Sequence, residues 1–447
     1  MNLIYGIKDR PSIGKVFLFA CQQLLAIMAA TIAVPAIVGN GLTASAALFG
    51  AGVGSIVYLL FTKSSSPVFL GSSFAFIGSM FSAFGGAASV SVGYWGLIIG
   101  ALMAGLVYVV IALIIKFCGV KWIDNLMPPV IIGPTVAIIG LSLSSNAVGD
   151  LMKSSVEGGS TYIAIICGLV TLFVTMICST YGKKIGKLIP FIIGILAGYA
   201  VASIFALIGI LAKNPALVVI NYSAFKEVHG LFSIPDFTFL LGGKEGLSGI
   251  TGSYLLTIFA AYVPVAFVVF AEHLADHKNL SAIIGVNLLE KPGLSRTLLG
   301  DGIGSVLGAF FGGCPNTTYG ESIGCVAITR NASTITIWGC AFLCIVFSLI
   351  SPLVAFLETI PNCVMGGVCI ALYGFIAVSG FKMFQTVDLN KNRNLFVASV
   401  IFITGVGGMV INFGKVEIRT VACALILGIL TNVVLRGEKD EETAKTE

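Results

Sequence analysis

The chain has 447 residues, 57% of them hydrophobic and only 10% charged, against roughly 45–50% apolar and about 25% charged in an average soluble domain. That composition excludes a water-soluble fold, and long apolar runs without alternation exclude a membrane β-barrel, whose strands alternate polarity over about 10 residues. The formal charge of +5 carries no nucleic-acid signal, because in a helical membrane protein the placement of charges matters more than their sum.

At about 20 residues per bilayer-spanning helix, apolar spans are predicted near 14–39, 43–62, 67–86, 92–116, 128–148, 161–180, 187–210, 251–276, 297–313, 315–329, 333–357, 362–381, 395–413 and 418–435. The first contains Gln22 and Gln23 and lacks a small-residue cleavage site, so it is expected to stay as a helix rather than leave as a signal peptide. With the N-terminus placed inside, 19 of the 25 Lys and Arg fall on the cytoplasmic side, which favours an even number of spans with both termini cytoplasmic. The eleven cysteines lie almost entirely in apolar runs without a Cys-x-x-Cys pair and read as small hydrophobes, not as a zinc or disulfide framework.

The longest outer connection, about 211–250, divides the chain into two halves of seven spans. An odd number per half gives the halves opposite orientations, the arithmetic of an inverted repeat with a binding site at the repeat interface. The third span, through Ser66-Pro67 and Gly71-Ser72-Ser73-Phe74, and the tenth, through Gly313-Cys314-Pro315-Asn316 to Glu321, are both interrupted by Pro, Gly and hydroxyl residues. Freed backbone groups survive in a membrane only where they face protein or a polar cavity. Half-helices starting at Gly71–Ser73 and Tyr319–Glu321 would aim their N–H groups at a ligand's carbonyl oxygens; close helix packing through small residues is the competing reading.

Four acidic residues fall inside spans: Glu272, Asp276, Asp301 and Glu321. A carboxylate at mid-membrane costs about 2.5–3.5 kcal/mol on insertion scales, and neither Glu272 nor Glu321 has an intramembrane Lys or Arg to pair with, so a ligand or proton role is expected for both. Asp276 lies four residues after Glu272 and shares its face, as His277 shares one with His273. Asp276 is the better proton relay by this spacing. Hydropathy leaves a second reading open, in which Asp276, His277 and Lys278 form a solvated helix end. Asp301, flanked by Gly300 and Gly302, reads as a helix N-terminal residue, and His229 as a solvated loop residue. Phe74 and Tyr319, beside the two breaks, are candidates to stack on a flat ligand. A membrane enzyme is disfavoured, since His273 and His277 beside Glu272 are the only candidate catalytic set; an anion carrier would want a basic residue in a break, and neither break has one.

The runs Gly71-Ser72-Ser73-Phe74-Ala75-Phe76, Ala271-Glu272-His273, Pro315-Asn316-Thr317-Thr318-Tyr319-Gly320-Glu321 and Pro361-Asn362-Cys363-Val364-Met365-Gly366-Gly367-Val368, followed by Tyr373-Gly374, resemble the uracil permease branch of the nucleobase-cation symporter (nucleobase/ascorbate transporter) family. The likeness extends over nearly the whole chain, and purine-type relatives lack the Thr-Thr-Tyr-Gly-Glu run. It implies an all-α polytopic fold of 14 transmembrane segments in two inverted seven-span repeats, with short β-strands in the broken spans 3 and 10. It further implies a first-repeat core (1–120), a first-repeat gate with the outer loop (121–249), a second-repeat core (250–358), a second-repeat gate (359–435) and a cytoplasmic tail (436–447).

By the same resemblance, Glu272 and Glu321 accept N–H bonds from uracil, Phe74 and Tyr319 line or stack on it, backbone amides near Ser73, Phe74, Tyr319 and Gly320 meet its carbonyls, and Tyr373 approaches from the gate side. Glu272 then lies well inside the membrane. Where the best-known member of the family has a histidine one turn after the first glutamate, this chain has Asp276 with His277 beside it, and Gln23 stands where that member has a histidine after the helix-one Gln. The proton-coupling candidates are therefore Asp276, His277 and Glu272, with sodium coupling open. The implied function is uracil–proton symport by alternating access in the cytoplasmic membrane, as a homodimer in the lipid bilayer, with no cofactor, metal or nucleic acid. A xanthine, purine or broader nucleobase carrier is the alternative, followed by an anion transporter of the same fold.

Overall fold

The computed structural model describes residues 3–119, 121–183, 186, 189–228, 230–413 and 416–435. His229, Lys184, Lys187, Lys415 and the tail 436–447, all used in the sequence reading, lie outside the described residues. In chain order the first half consists of α1 (Ile13–Val38), α2 (Ala44–Phe61), β1 (Leu70–Ser72), α3 (Ile77–Gly85), α4 (Val90–Cys118), α5 (Lys121–Leu126), α6 (Pro129–Ser142), α7 (Ser144–Leu151), α8 (Thr161–Tyr181) and α9 (Pro190–Leu211). The second half consists of α10 (Thr238–Ser248), α11 (Gly252–Ile284), α12 (Leu294–Gly312), β2 (Asn316–Thr318), α13 (Gly320–Thr329), α14 (Thr334–Ser348), α15 (Ser351–Glu358), α16 (Asn362–Phe384), α17 (Asn392–Val406), β3 (Ile411–Phe413), β4 (Val416–Ile418) and α18 (Thr420–Val434). Among the described residues eight helices, counting α6 and α7 as one, are long and apolar enough to cross a membrane, and α14, α17 and α18 are shorter apolar helices.

The helices pack in two groups. In one, α2 and α4 flank α12, α4 also packs on α10 and α11, and α14 packs on α1 and α2. In the other, α16 packs on α6, α7 and α8, α8 on α9, and α17 and α18 on each other and on α6. Contacts between the groups run mainly from α11 to α6 and α18, and from α1 to α9 and α16.

Small residues set the closest seam of the first group. A Cβ added at Gly50 would stand 2.6 Å from Gly308 O, and one at Gly54 would stand 2.7 Å from Gly304 O. Glycines four apart on α2 therefore face glycines four apart on α12, the small-residue pattern by which membrane helices gain van der Waals contact when the lipid offers no hydrophobic drive.

The two interrupted segments meet at this seam. β1 and β2 pair antiparallel, Leu70 opposite Thr318, Gly71 opposite Thr317 and Ser72 opposite Asn316. Pairing satisfies groups that hydrocarbon could not, and side chains finish the work. Ser55 Oγ accepts from Leu70 N at 2.8 Å and donates to Leu70 O at 3.0 Å, and Asn316 Nδ2 donates to Gly50 O at 3.1 Å.

Several expectations are corrected. Residues Gly71 and Ser72 are strand, and the helix after them starts only at Ile77, whereas α13 starts at Gly320 as expected. The helix containing Glu272 runs on to Ile284, where Gly285 ends it in the left-handed conformation (φ 71°), so Asp276 and His277 belong to its body and not to a solvated end. Asp301 is not at a helix start: α12 begins seven residues earlier, at Leu294. Its polarity is explained by a partner on α11. Within the 211–250 connection, α10 packs on α4, and Trp95 Nε1 donates to Gly243 O at 2.9 Å.

Candidate functional site

A cavity of about 350 Å³ opens between the two groups. From the first group it is lined by Ala26 of α1, Phe74, Glu272 and Asp276 of α11, and the run Thr317–Glu321. From the second come Val136 of α6, Phe191 of α9, and Phe375 and Ser379 of α16. It adjoins a wider space that shares Asp276 and Ser379 with it and whose lining adds Lys278 and Lys382.

Each lining residue is held by identifiable chemistry. α11 carries Glu272 and Asp276 one turn apart on the cavity face, both half-buried. Thr318 Oγ1, at the end of β2, donates to Asp276 Oδ2 at 2.7 Å. Tyr319 is set by its backbone N donating to Phe69 O at 3.2 Å and its hydroxyl donating to Ser72 O at 2.9 Å. The ring lies directly over Gly71, where a Cβ would collide with it. Phe74 is buried and meets Tyr373 edge-on, ring centroids 5.5 Å apart.

Glu321 sits in the first turn of α13. The first intrahelical bond there is Ile323 N to Tyr319 O at 3.2 Å, so the amides of Gly320, Glu321 and Ser322 precede it and carry the partial positive charge of a helix start. α13 is anchored from α1: Gln23 Nε2 donates to Ser322 Oγ, and to Ser322 O at 3.2 Å, while Phe69 N donates to Ser322 Oγ at 3.0 Å.

The site thus brings together six of the sequence-predicted residues: Glu272, Glu321, Phe74, Tyr319, Gly320 and Asp276. Ser73, Tyr373 and His277 are not among the lining residues. Ser73 is buried beside β1 with its N donating to Pro315 O at 2.8 Å, and Tyr373 stands behind Phe74. His277 points away from the cavity, with Nδ1 donating to His273 O at 2.8 Å and Nε2 2.7 Å from Tyr58 Oη. Sequence reasoning missed Thr318 as a partner of Asp276, although its place in the Thr-Thr-Tyr-Gly-Glu run was a signal. It also missed the apolar walls from α6, α9 and α16, for which no local pattern exists.

The arrangement can do one thing well. Two carboxylates that accept hydrogen bonds, a helix start that donates them and two aromatic rings suit a flat, uncharged ligand bearing both N–H and carbonyl groups. Apolar helices in two groups around such a cavity define a multi-pass membrane protein of the transporter class.

Comparison with known proteins agrees. The model of a family described as "Permease family" matches residues 14–413, and the chain belongs to this family. It is 38% identical to the uracil permease of Bacillus caldolyticus, covering 97% of this chain and 95% of that one. It is 37% identical to the uracil permease of Bacillus subtilis (99% and 97% covered) and 35% identical to that of Escherichia coli K12 (96% and 94%). Among solved structures, the transmembrane domain of the cyanobacterial bicarbonate transporter BicA is similar at a TM-score of 0.62 and 15% identity, covering 95% of this chain and 99% of that one. The murine anion transporter Slc26a9 in its inward-facing state is similar at 0.67 and 11% identity, covering 96% and 69%. These two likenesses concern the fold alone.

Proposed function

We propose that this permease carries uracil across the cytoplasmic membrane together with a proton, by alternating access. The observation that carries the reading is the convergence of Glu272 and Glu321, from different segments, on one cavity between the two helix groups. The names of its relatives point to the same substrate. Uracil offers two ring N–H donors to the two carboxylates and two carbonyl oxygens to the amides at the start of α13 and beside Phe74. Each hydrogen bond to a charged group contributes about 1.5–3 kcal/mol net. An analogue lacking an N–H leaves a buried carboxylate unpaired and is rejected.

In this proposal Glu272, Glu321, Phe74, Tyr319 and Gly320 contact substrate, with Ser73 and Tyr373 supporting from behind. Asp276, one turn from Glu272 and bonded to Thr318, carries the coupling proton; the orientation of His277 away from the cavity disfavours it for that role. The first packing group is the core and the second the gate, in a frame of 14 spans as two inverted repeats, with residues before the first span and after the last facing the cytoplasm and with pairing into a homodimer. Among the described residues, the lining of the cavity that holds Glu272 and Glu321 contains no Lys or Arg, which argues against an anion as cargo.

The test is labelled-uracil uptake into proteoliposomes with and without an inward pH gradient, with excess xanthine, thymine and cytosine as competitors. Gradient-driven uptake resistant to xanthine is expected. Gradient-independent uptake would remove proton coupling, and inhibition by xanthine would move the assignment to a broader nucleobase carrier.

A further inference from the structure

Behind the cavity, on the other side of α11, lies a polar cluster that the transport reading does not use. His273 and Asp301 are both fully buried, with His273 Nδ1 2.7 Å from Asp301 Oδ2. His273 Nε2 is 3.0 Å from Thr297 Oγ1, and that hydroxyl donates its single hydrogen to Leu294 O at 3.0 Å. With the hydroxyl's single hydrogen on Leu294 O, Nε2 is the donor to Thr297.

With Nε2 protonated, the contact between Nδ1 and the carboxyl holds one proton. Without it, a nitrogen lone pair would face a carboxylate lone pair in a dry interior. With it, the pair is neutral overall whether the proton sits on nitrogen or on oxygen. Among the described residues Asp301 Oδ1 has no hydrogen-bond partner, so the carboxyl is committed to this one bond. One turn on, His277 donates through Nδ1 to His273 O, its Nε2 lies 2.7 Å from the Tyr58 hydroxyl, which also meets Ser66 Oγ at 2.8 Å, and its ring stacks on His273 with centroids 4.0 Å apart.

We propose that His273 and Asp301 form a positioning pair: by sharing one proton they lock the rotation of α11 about its axis, and so aim the neighbouring Glu272 carboxylate at the ligand. Glu272 and His273 are adjacent on the helix, so their side chains leave it about 100° apart. A bond fixing one fixes the direction of the other. The pair ties α11 to α12, while His277 ties it to Tyr58 on α2. The inference rests on the reading of Glu272 as a ligand-binding residue.

The test is equilibrium binding of labelled uracil to purified protein, with the melting temperature recorded for each variant. Asp301→Asn keeps the pair neutral, since its amide N–H can donate to Nδ1 as the acid would; a Kd within about threefold of wild type is expected. His273→Leu removes both bonds, and a Kd raised about tenfold or more is expected, with Asp301→Asn as the conservative variant that does not show the loss. Thr297→Val removes the Nε2 partner together with the hydroxyl's own bond to Leu294 O, and should weaken binding at a modest loss of melting temperature, which keeps the inference testable if His273→Leu does not fold.

Asp301→Asn binding as poorly as His273→Leu would overturn the shared proton in favour of an obligate charge. Normal binding by His273→Leu, or by Thr297→Val where His273→Leu does not fold, would overturn the positioning role. Wild type that binds no uracil, or Glu272→Gln that binds it normally, would overturn the site reading and this inference with it; with both controls as expected, a failure belongs to the positioning pair alone.

Discussion

The two faces of α11 contain the same class of residue and treat it in opposite ways. On one face Glu272 and Asp276 border a cavity and are half-buried. On the other, His273 and His277 are sealed, with both nitrogens of each ring placed against a partner in the protein. Polar groups in a membrane interior must be satisfied. Where the protein supplies every partner, the group is structural; where it leaves an acceptor facing open space, a ligand can supply the partner. The difference lies in what the neighbouring segments bring to each face, since the side chains themselves alternate along a single turn.

That contrast can be broken most directly at the cavity face. Glu272→Gln or Glu321→Gln should abolish uracil uptake while the protein still inserts, because each removes a charged acceptor worth about 1.5–3 kcal/mol and substitutes an amide whose N–H groups oppose those of the ligand. Normal uptake by either variant, measured against surface-normalised protein, removes that residue from the site. Nearly as large an effect is expected on folding at the seam beneath the site. In Gly54→Val the new side chain meets Gly304 O and the Asn316 amide, and the yield of folded protein in a detergent-extraction and gel-filtration assay should collapse.

Asp276→Asn sharpens the comparison further. Uracil binding should persist within a fewfold of wild type, while the response of uptake to a pH gradient disappears; an unchanged gradient response would take the coupling proton away from this residue. Thr318→Val, which removes the hydroxyl bonded to Asp276, should shift the pH dependence of uptake with little change in affinity, read from uptake rates at a series of pH values. The smallest effect is expected on the sealed face beyond the positioning pair: in His277→Gln binding should stay within about threefold, at a modest loss of melting temperature from one or two buried hydrogen bonds of about 1 kcal/mol each.

Much of this was legible in the sequence because hydrophobic length and interruption are local signals. The apolar segments at 14–39, 43–62 and 161–180 coincide with α1, α2 and α8 to within a few residues, and the Pro and Gly interruptions mark where β1 and β2 lie. Glu272 and Glu321 stood out because a carboxylate among apolar residues demands a reason. What was not legible depends on partners distant in the chain. Hydropathy ended the eighth span at 276, since it cannot know that His277 is satisfied by Tyr58, 219 residues earlier. Asp301 looked like a helix cap because its glycine neighbours mimic a helix boundary; its true partner is His273, 28 residues away on another helix. Likewise, nothing near Gln23 announces that it anchors Ser322.

The central claim, that the open face of α11 recognises the ligand and the sealed face only supports it, is tested most directly by measuring saturable binding of labelled uracil to purified wild type, Glu272→Gln and His277→Gln side by side. Saturable binding by wild type and His277→Gln with none by Glu272→Gln is the predicted result. Retained binding by Glu272→Gln, with loss in His277→Gln, would contradict it.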